Sequence, residues 1–267
     1  DVKYTLMCNE AGGVRADITV TRTDEDRYLL LTTGREVGNN HVAWVRQQSP
    51  ESVVVNDVTS SYAAMVCTGP NARKVLSKVT DVDLSDDAFP FFTSQEFFVK
   101  NVPVTALRVS YAGELGWEFY TPSEYGERLW EILLDAGEEY GIRPYGNGAL
   151  DALRIEKGFR LWGHDLHTEH NPYEAGLGWA VDLDTDFIGK EAVAAAAEGE
   201  NIDHEVACLT LDDEDETILP HRPVFAPGED ETLGYVHSAE YGYAVGACVA
   251  YTYLPPEYAE PGTDAEI

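Results

Sequence analysis

The chain is short of positive charge. Its 267 residues hold 18 Lys and Arg against 48 Asp and Glu, a formal net charge of −30. Lysine stands only at Lys3, Lys74, Lys78, Lys100, Lys157 and Lys190. A protein that grips a phosphate backbone needs clustered Lys and Arg, so nucleic acid is excluded as a partner. An anionic membrane surface is excluded on the same ground. No apolar run approaches the roughly eighteen residues of a bilayer span, and no basic segment followed by an apolar one marks a secretory signal. Cysteine is scarce too: Cys8, Cys67, Cys208 and Cys248 lie far apart, which excludes a CxxC metal knuckle or redox pair. Each sits in an apolar run and is expected as a small buried hydrophobe, consistent with a reducing cytoplasm. GxSxG, P-loop and GxGxxG motifs are all missing, and with them the usual serine-hydrolase elbow and the Rossmann nucleotide unit.

What is present is an ordinary globular composition, 44% hydrophobic and 11% aromatic, enough for a sizeable core. The acids are spread along the chain, with a local run Asp212-Asp213-Glu214-Asp215-Glu216. A dispersed acid excess predicts a halophile's solvated surface, on which salt screens self-repulsion. The chain opens at Asp1 and reads as strand within a few residues, so it is expected to be a piece of something longer.

Val14, Ala16, Ile18 and Val20 alternate with Arg15, Asp17, Thr19 and Thr21, a period of two that predicts a strand with one apolar face. Thr23–Asp26 is a turn and Arg27–Thr33 the returning strand. Residues 39–48 predict a helix stopped at Ser49-Pro50. Strands are predicted at Val53–Val55 and Tyr62–Thr68, and Gly69-Pro70 opens a helix to about Val79. Val104–Tyr111 and Trp117–Tyr120 form a second hairpin. Thr121-Pro122-Ser123-Glu124 reads as a capping box, followed by a helix whose apolar face is Tyr125, Leu129, Ile132, Leu133 and Ala136. A helix from Asn147 to Lys157 ends at Gly158, and an Ala-rich helix covers 189–197. After Glu198-Gly199-Glu200 come short strands at Glu205–Leu211, Leu233–Ser238 and Tyr243–Tyr253, punctuated by prolines. The fold class is therefore α+β over residues 1–197, followed by a small β-barrel over 198–267.

Three constellations could carry chemistry. His164, Asp165, His167 and His170 have metal-ligand residue types, but they follow Gly163 and run into Asn171-Pro172. They are read as a polar loop, and no metal is expected. Asp17 projects from the polar face of a strand just after Ala11-Gly12-Gly13. A carboxylate on a rigid strand suits electrostatic work on a cationic intermediate, although a solvent-facing Asp is the plainer reading in so acidic a chain. Glu118 alternates with Trp117 and Phe119, so it points away from their side of the sheet, in a segment rich in rings (Tyr111, Trp117, Phe119, Tyr120). Its two oxygens can accept two adjacent N–H donors, as a pterin edge offers, and rings supply stacking. The plainer reading is an edge-strand Glu.

Together these segments resemble the folate-binding aminomethyltransferase family, founded on the glycine cleavage T protein. The resembling stretches are Tyr4-Thr5-Leu6-Met7-Cys8-Asn9-Glu10-Ala11-Gly12-Gly13-Val14-Arg15-Ala16-Asp17, Ser110-Tyr111-Ala112-Gly113-Glu114-Leu115-Gly116-Trp117-Glu118, Leu153-Arg154-Ile155-Glu156-Lys157-Gly158, Pro172-Tyr173-Glu174-Ala175-Gly176-Leu177-Gly178-Trp179 and Asp186-Phe187-Ile188-Gly189-Lys190. The run Arg154–Phe159 with Ser238–Tyr243 and Tyr253–Thr263 looks like the folate module of dimethylglycine and sarcosine dehydrogenases.

The resemblance implies one-carbon transfer to tetrahydrofolate, forming 5,10-methylenetetrahydrofolate. Asp17 falls on the family's catalytic carboxylate and Glu118 on the acid that holds the pterin. Tyr4, Tyr111 and Trp179 fall on aromatic folate contacts. FAD is implied only in a further domain or partner subunit, and the donor is an amine or aminomethyl compound. A lipoyl H protein would be the partner of a true T protein. That reading is weakened by Leu150-Asp151, which stands where those proteins carry Arg-Asp. A non-catalytic folate-binding module is the third reading.

Overall fold

The computed structural model describes residues 1–33, 35–212 and 217–267. The alternation in Val14, Ala16 and Ile18 produces the strand it predicts: all three are buried, and Asp17 between them is not fully covered. The first elements are β1 (Val2–Cys8), β2 (Val14–Asp24) and β3 (Arg27–Leu31), forming a three-stranded sheet in that order. They lead into α1 (Arg35–Gln48). Next come β4 (Tyr62–Thr68), α2 (Ala72–Leu76), β5 (Ser94–Val99), β6 (Val102–Leu107), β7 (Gly116–Pro122), α3 (Gly126–Gly137) and α4 (Asn147–Glu156). The chain ends with α5 (Lys190–Ala197), β8 (Glu205–Thr210), β9 (Pro223–Phe225), β10 (Thr232–Gly242), β11 (Ala247–Leu254) and α6 (Pro256–Ala259). The acidic run from Asp213 to Glu216 lies outside the described residues.

Two compact units emerge. One comprises Asp1–Lys3, Val20–Leu30 and Val42–Leu150; the other comprises Tyr4–Thr19, Leu31–His41 and Asp151–Ile267.

The first unit contains a four-stranded sheet in the order β4-β7-β6-β5. β7 lies between two partners, with Glu118 opposite Val66 on β4 and Leu107 on β6. Trp117 and Phe119 are buried on one face and pack with Leu129, Ile132, Leu133 and Ala136 of α3. That places the predicted apolar face of α3 on the sheet. Ile132→Val deletes one methylene-sized group from this tightly filled layer, and should lower stability by roughly 0.5–1.5 kcal/mol. A urea unfolding series checks it, through a lower midpoint with unchanged slope.

The second unit contains the sheet β8-β11-β10-β9, all pairings antiparallel. Its apolar face is built by Ala207, Val224, Val236, Cys248, Ala250 and Leu254. The end of α4 belongs here. Gly158 adopts φ +75°, and the Phe159 amide donates to the Arg154 carbonyl while the Gly158 amide donates to Ile155. This is the Schellman closure that the Lys157-Gly158 boundary predicts. Arg154 is buried. Its guanidinium donates to Asp165, to Ser238 Oγ at 2.8 Å and to the Phe159 carbonyl at 3.1 Å. A buried charge needs such complete partnering, and the network pins the loop after α4 to β10.

Several expectations fail for identifiable reasons. Val53–Val55 forms no strand; Val53 and Val54 are exposed, and no strand among the described residues pairs with them. The helix after Gly69-Pro70 is only Ala72–Leu76, because the Lys78 and Val79 amides bond to carbonyls three residues back and tighten the chain out of the α-helix. The capping box is not formed. Thr121 is still in β7, and its hydroxyl donates to the Pro103 carbonyl at 2.8 Å instead of capping α3. Tyr243 lies in the β10–β11 turn, not in a strand. Cys208 is exposed, whereas Cys8, Cys67 and Cys248 are buried; all four are free thiols. Period-two strands bury alternate residues, and Cys208 falls on the outward face of β8.

Candidate functional site

Asp17 is positioned by the turn that precedes its strand. Asn9 Oδ1 accepts the Ala11 and Gly13 amides at 3.0 and 2.9 Å, and the Gly12 amide donates to the Asn9 carbonyl. Gly12 sits at φ +84°, where side-chain-bearing residues are strained. A Cβ on Gly13 would meet the Thr168 carbonyl oxygen at 1.9 Å. The glycine pair is therefore required by this turn, which delivers the chain into β2 with Asp17 on the face opposite Ala16 and Ile18.

The Tyr4 hydroxyl, on β1, donates to Asp17 Oδ2 at 3.2 Å. The Tyr4 ring in turn stacks on Trp179, with centroids 5.5 Å apart and planes 19° apart. Trp179 lies in the 3₁₀ turn Gly178–Ala180 and remains 68% exposed, leaving most of its surface open for another flat group. Burial pushes the Asp17 carboxyl above its ordinary value; hydrogen bonds from a backbone amide and from Tyr4 oppose that rise. The arrangement is a desolvated carboxylate on a strand, oriented by a phenol, beside an aromatic platform.

Glu118 belongs to the other unit. It lies on the face of β7 away from Trp117 and Phe119, as their alternation predicts, and those two rings pack into the core. Tyr120, two residues on and on the same face, donates its hydroxyl to Glu118 Oε2 at 2.7 Å. Burial raises the Glu118 pKa, and the Tyr120 hydrogen bond opposes the rise. Tyr120 is itself held far above the ordinary tyrosine range, by burial first and then by the Glu118 charge. Tyr145 also feels Glu118, which helps raise its pKa after burial and Cys67. Tyr111 is half-buried in the connection between β6 and β7.

The structure thus brings Tyr4, Asp17 and Trp179 together in one unit and places Glu118 and Tyr111 in the other. Two partners escaped the sequence reading. Tyr120 reads first as a ring, yet the period of two puts its hydroxyl on Glu118's face. The sequence predicts Tyr4 as a ligand contact and does not reveal it as Asp17's donor, because the bond spans two strands.

The segment from His164 to His170 is a loop, as its sequence predicts. The His164 carbonyl is shared by His167 Nε2 and His237 Nδ1, each at 2.9 Å. Asp165 is taken up by Arg154 and by the Leu161 amide. Among the described residues no group of three or more His, Cys, Asp or Glu is arranged to hold a metal ion, and no helix is long and apolar enough to cross a membrane.

Comparison with known proteins supplies the family. The GCVT N-terminal domain matches residues 1–185 and the glycine cleavage T-protein C-terminal barrel domain matches residues 205–267. The mitochondrial dimethylglycine dehydrogenase of Mus musculus is 36% identical over 98% of this chain, which spans only 30% of that protein. An aminomethyltransferase of Desulfitobacterium hafniense is 32% identical over 100% of this chain and 72% of its own length. The crystal structure of the glycine cleavage system aminomethyltransferase T from Bartonella henselae shares the fold, with a TM-score of 0.82 at 24% identity over 99% of this chain and 71% of that one. On these grounds, and with the motifs around Asp17 and Glu118 in place, the chain belongs to the glycine cleavage T-protein family, with that family's α+β domain followed by its C-terminal barrel domain.

Proposed function

We propose that this chain binds tetrahydrofolate and loads a one-carbon unit onto it, yielding 5,10-methylenetetrahydrofolate, as the folate module of an N-methylglycine-type dehydrogenase. The observation that carries the reading is Asp17: a largely buried carboxylate on a rigid strand, hydrogen-bonded by the Tyr4 hydroxyl, beside a largely exposed Trp179. Tetrahydrofolate would supply the nucleophilic nitrogens. The chain's own residues do the rest. Glu118 accepts the paired N–H donors of the pterin edge through two carboxylate oxygens. Tyr4, Trp179 and Tyr111 offer ring faces. Asp17 lays negative charge against carbon that becomes cationic during transfer, and takes up the proton that a folate amine must release. Holding donor and acceptor together replaces a bimolecular encounter by a local one. FAD would sit in a separate domain or subunit, since this sequence carries no GxGxxG fingerprint.

A second reading is the glycine cleavage aminomethyltransferase, with an aminomethyl-lipoyl H protein as donor. The long match to aminomethyltransferases favours it. Against it stands Leu150, at the position where the glycine cleavage proteins are expected to carry an Arg.

Calorimetric titration of the full chain with tetrahydrofolate should show one saturable site. With formaldehyde as the one-carbon donor, the chain should form 5,10-methylenetetrahydrofolate faster than protein-free buffer does. Binding without acceleration would make it a non-catalytic folate module; no binding would remove the folate reading.

A further inference from the structure

Glu118 and Tyr120 are two polar side chains on one face of a strand that has partners on both sides. Each is largely withdrawn from water, and each would cost stability there if left alone. They are bonded to each other at 2.7 Å. Apolar residues at both positions would pack as well without that cost. A polar pair kept at such an expense is a feature of sites that need a charge held in a set orientation.

From this we infer that Tyr120 is a positioning residue: its hydroxyl, 2.7 Å from Glu118 Oε2, fixes the plane of the carboxylate so that the remaining oxygen lone pairs meet the paired N–H donors of a reduced pterin. The inference rests on the reading of Glu118 as the pterin's anchor. A carboxylate has about four acceptor positions. Tyr120 takes one at Oε2 and leaves the others. Among the described residues the titratable groups acting on Glu118 within its unit are Tyr120 and Tyr145. The neighbouring strands place Val66 and Leu107 opposite it, neither of them titratable. Among the described residues Tyr120 is the side chain that donates a hydrogen bond to Glu118 and so favours its charged form, and burial and the Glu118 charge hold its own phenol above the ordinary tyrosine range.

The test is calorimetric titration of the full chain with tetrahydrofolate between pH 4 and 8, in the unaltered protein, Tyr120→Phe, Glu118→Gln and the double variant. Loss of one hydrogen bond to a charged group corresponds to a fall in affinity of roughly tenfold or more for Tyr120→Phe. The acid midpoint of binding should also move to higher pH, because the donor that favoured ionised Glu118 is gone. A purely structural role would weaken binding and leave that midpoint in place. In the Glu118→Gln background, Tyr120→Phe should change little. Tyr120→3-fluorotyrosine, which keeps the hydroxyl and makes it a stronger donor, should move the midpoint the other way; it also serves if the Phe variant folds poorly. If Glu118→Gln loses affinity while Tyr120→Phe keeps both affinity and midpoint, the positioning role is wrong. If Glu118→Gln itself binds as tightly as the unaltered chain, the pterin anchor fails, whatever Tyr120 does.

Discussion

Replacing Asp17 by Asn should slow one-carbon transfer by about 10²–10⁴-fold, the range typical of losing a positioned acid–base group. Affinity for tetrahydrofolate should stay within about threefold, since the substitution removes charge and not shape. Asn keeps an oxygen for the Tyr4 hydroxyl, so the local hydrogen bond of 3.2 Å has a substitute acceptor. The same change should make the ligand-free chain more stable at neutral pH. The sign follows from the direction of the shift. Asp17's folded-state pKa is raised by burial, so the ionised carboxylate costs stability above that pKa. The cost is relieved as pH falls through the folded value toward the unfolded one. Asn carries no such cost at any pH. Thermal unfolding should therefore move up by a few degrees at pH 7, with the gap between variant and parent closing in acid. A variant that is both slower and less stable would point to a structural role for Asp17.

Replacing Glu118 by Gln should act on the other kinetic quantity. A carboxylate accepting two N–H donors is worth about twice a neutral pair, and Gln presents a donor where the pterin also presents one. Tetrahydrofolate affinity should drop by roughly 10–100-fold, while turnover at saturating folate stays near that of the parent. In the parent, affinity should fall as pH drops through Glu118's raised pKa, beginning above the ordinary glutamate range. In the Gln variant that acid limb should vanish. Affinity measured against pH in both proteins checks the direction and the disappearance together.

The ease with which parts of the fold were read from sequence follows the range of the interactions that build them. β2 was legible because its apolar face, Val14, Ala16 and Ile18, needs only one period and one buried side. The face of α3 was legible for the same reason. The helix stop at Gly158 is a local backbone event, and it came through in full. The capping box at Thr121 misled because its residue types fit two local structures. The Pro103 carbonyl, 18 residues away in sequence, decided between them. Val53–Val55 had strand-forming residues, and strands need a partner that no local pattern supplies.

The same division runs through the candidate site. The residue types at Asp17 and Glu118 and their places on strands could be read directly. Their electrostatics could not, because the Tyr4 hydroxyl reaches Asp17 only through strand pairing and burial is a property of the folded chain. The buried Arg154 network is the extreme case, since Ser238 lies 84 residues from it in sequence.

The most direct test is a single-turnover transfer assay with formaldehyde, run over a range of tetrahydrofolate concentrations on the parent, Asp17→Asn and Glu118→Gln. The account predicts a split. Asp17→Asn should have a depressed plateau rate with an unchanged half-saturation concentration, and Glu118→Gln a near-normal plateau with half-saturation moved well upward. If Asp17→Asn reaches the parent's plateau, or if both variants lose the same quantity, the assignment of charge stabilisation to one carboxylate and pterin binding to the other is contradicted.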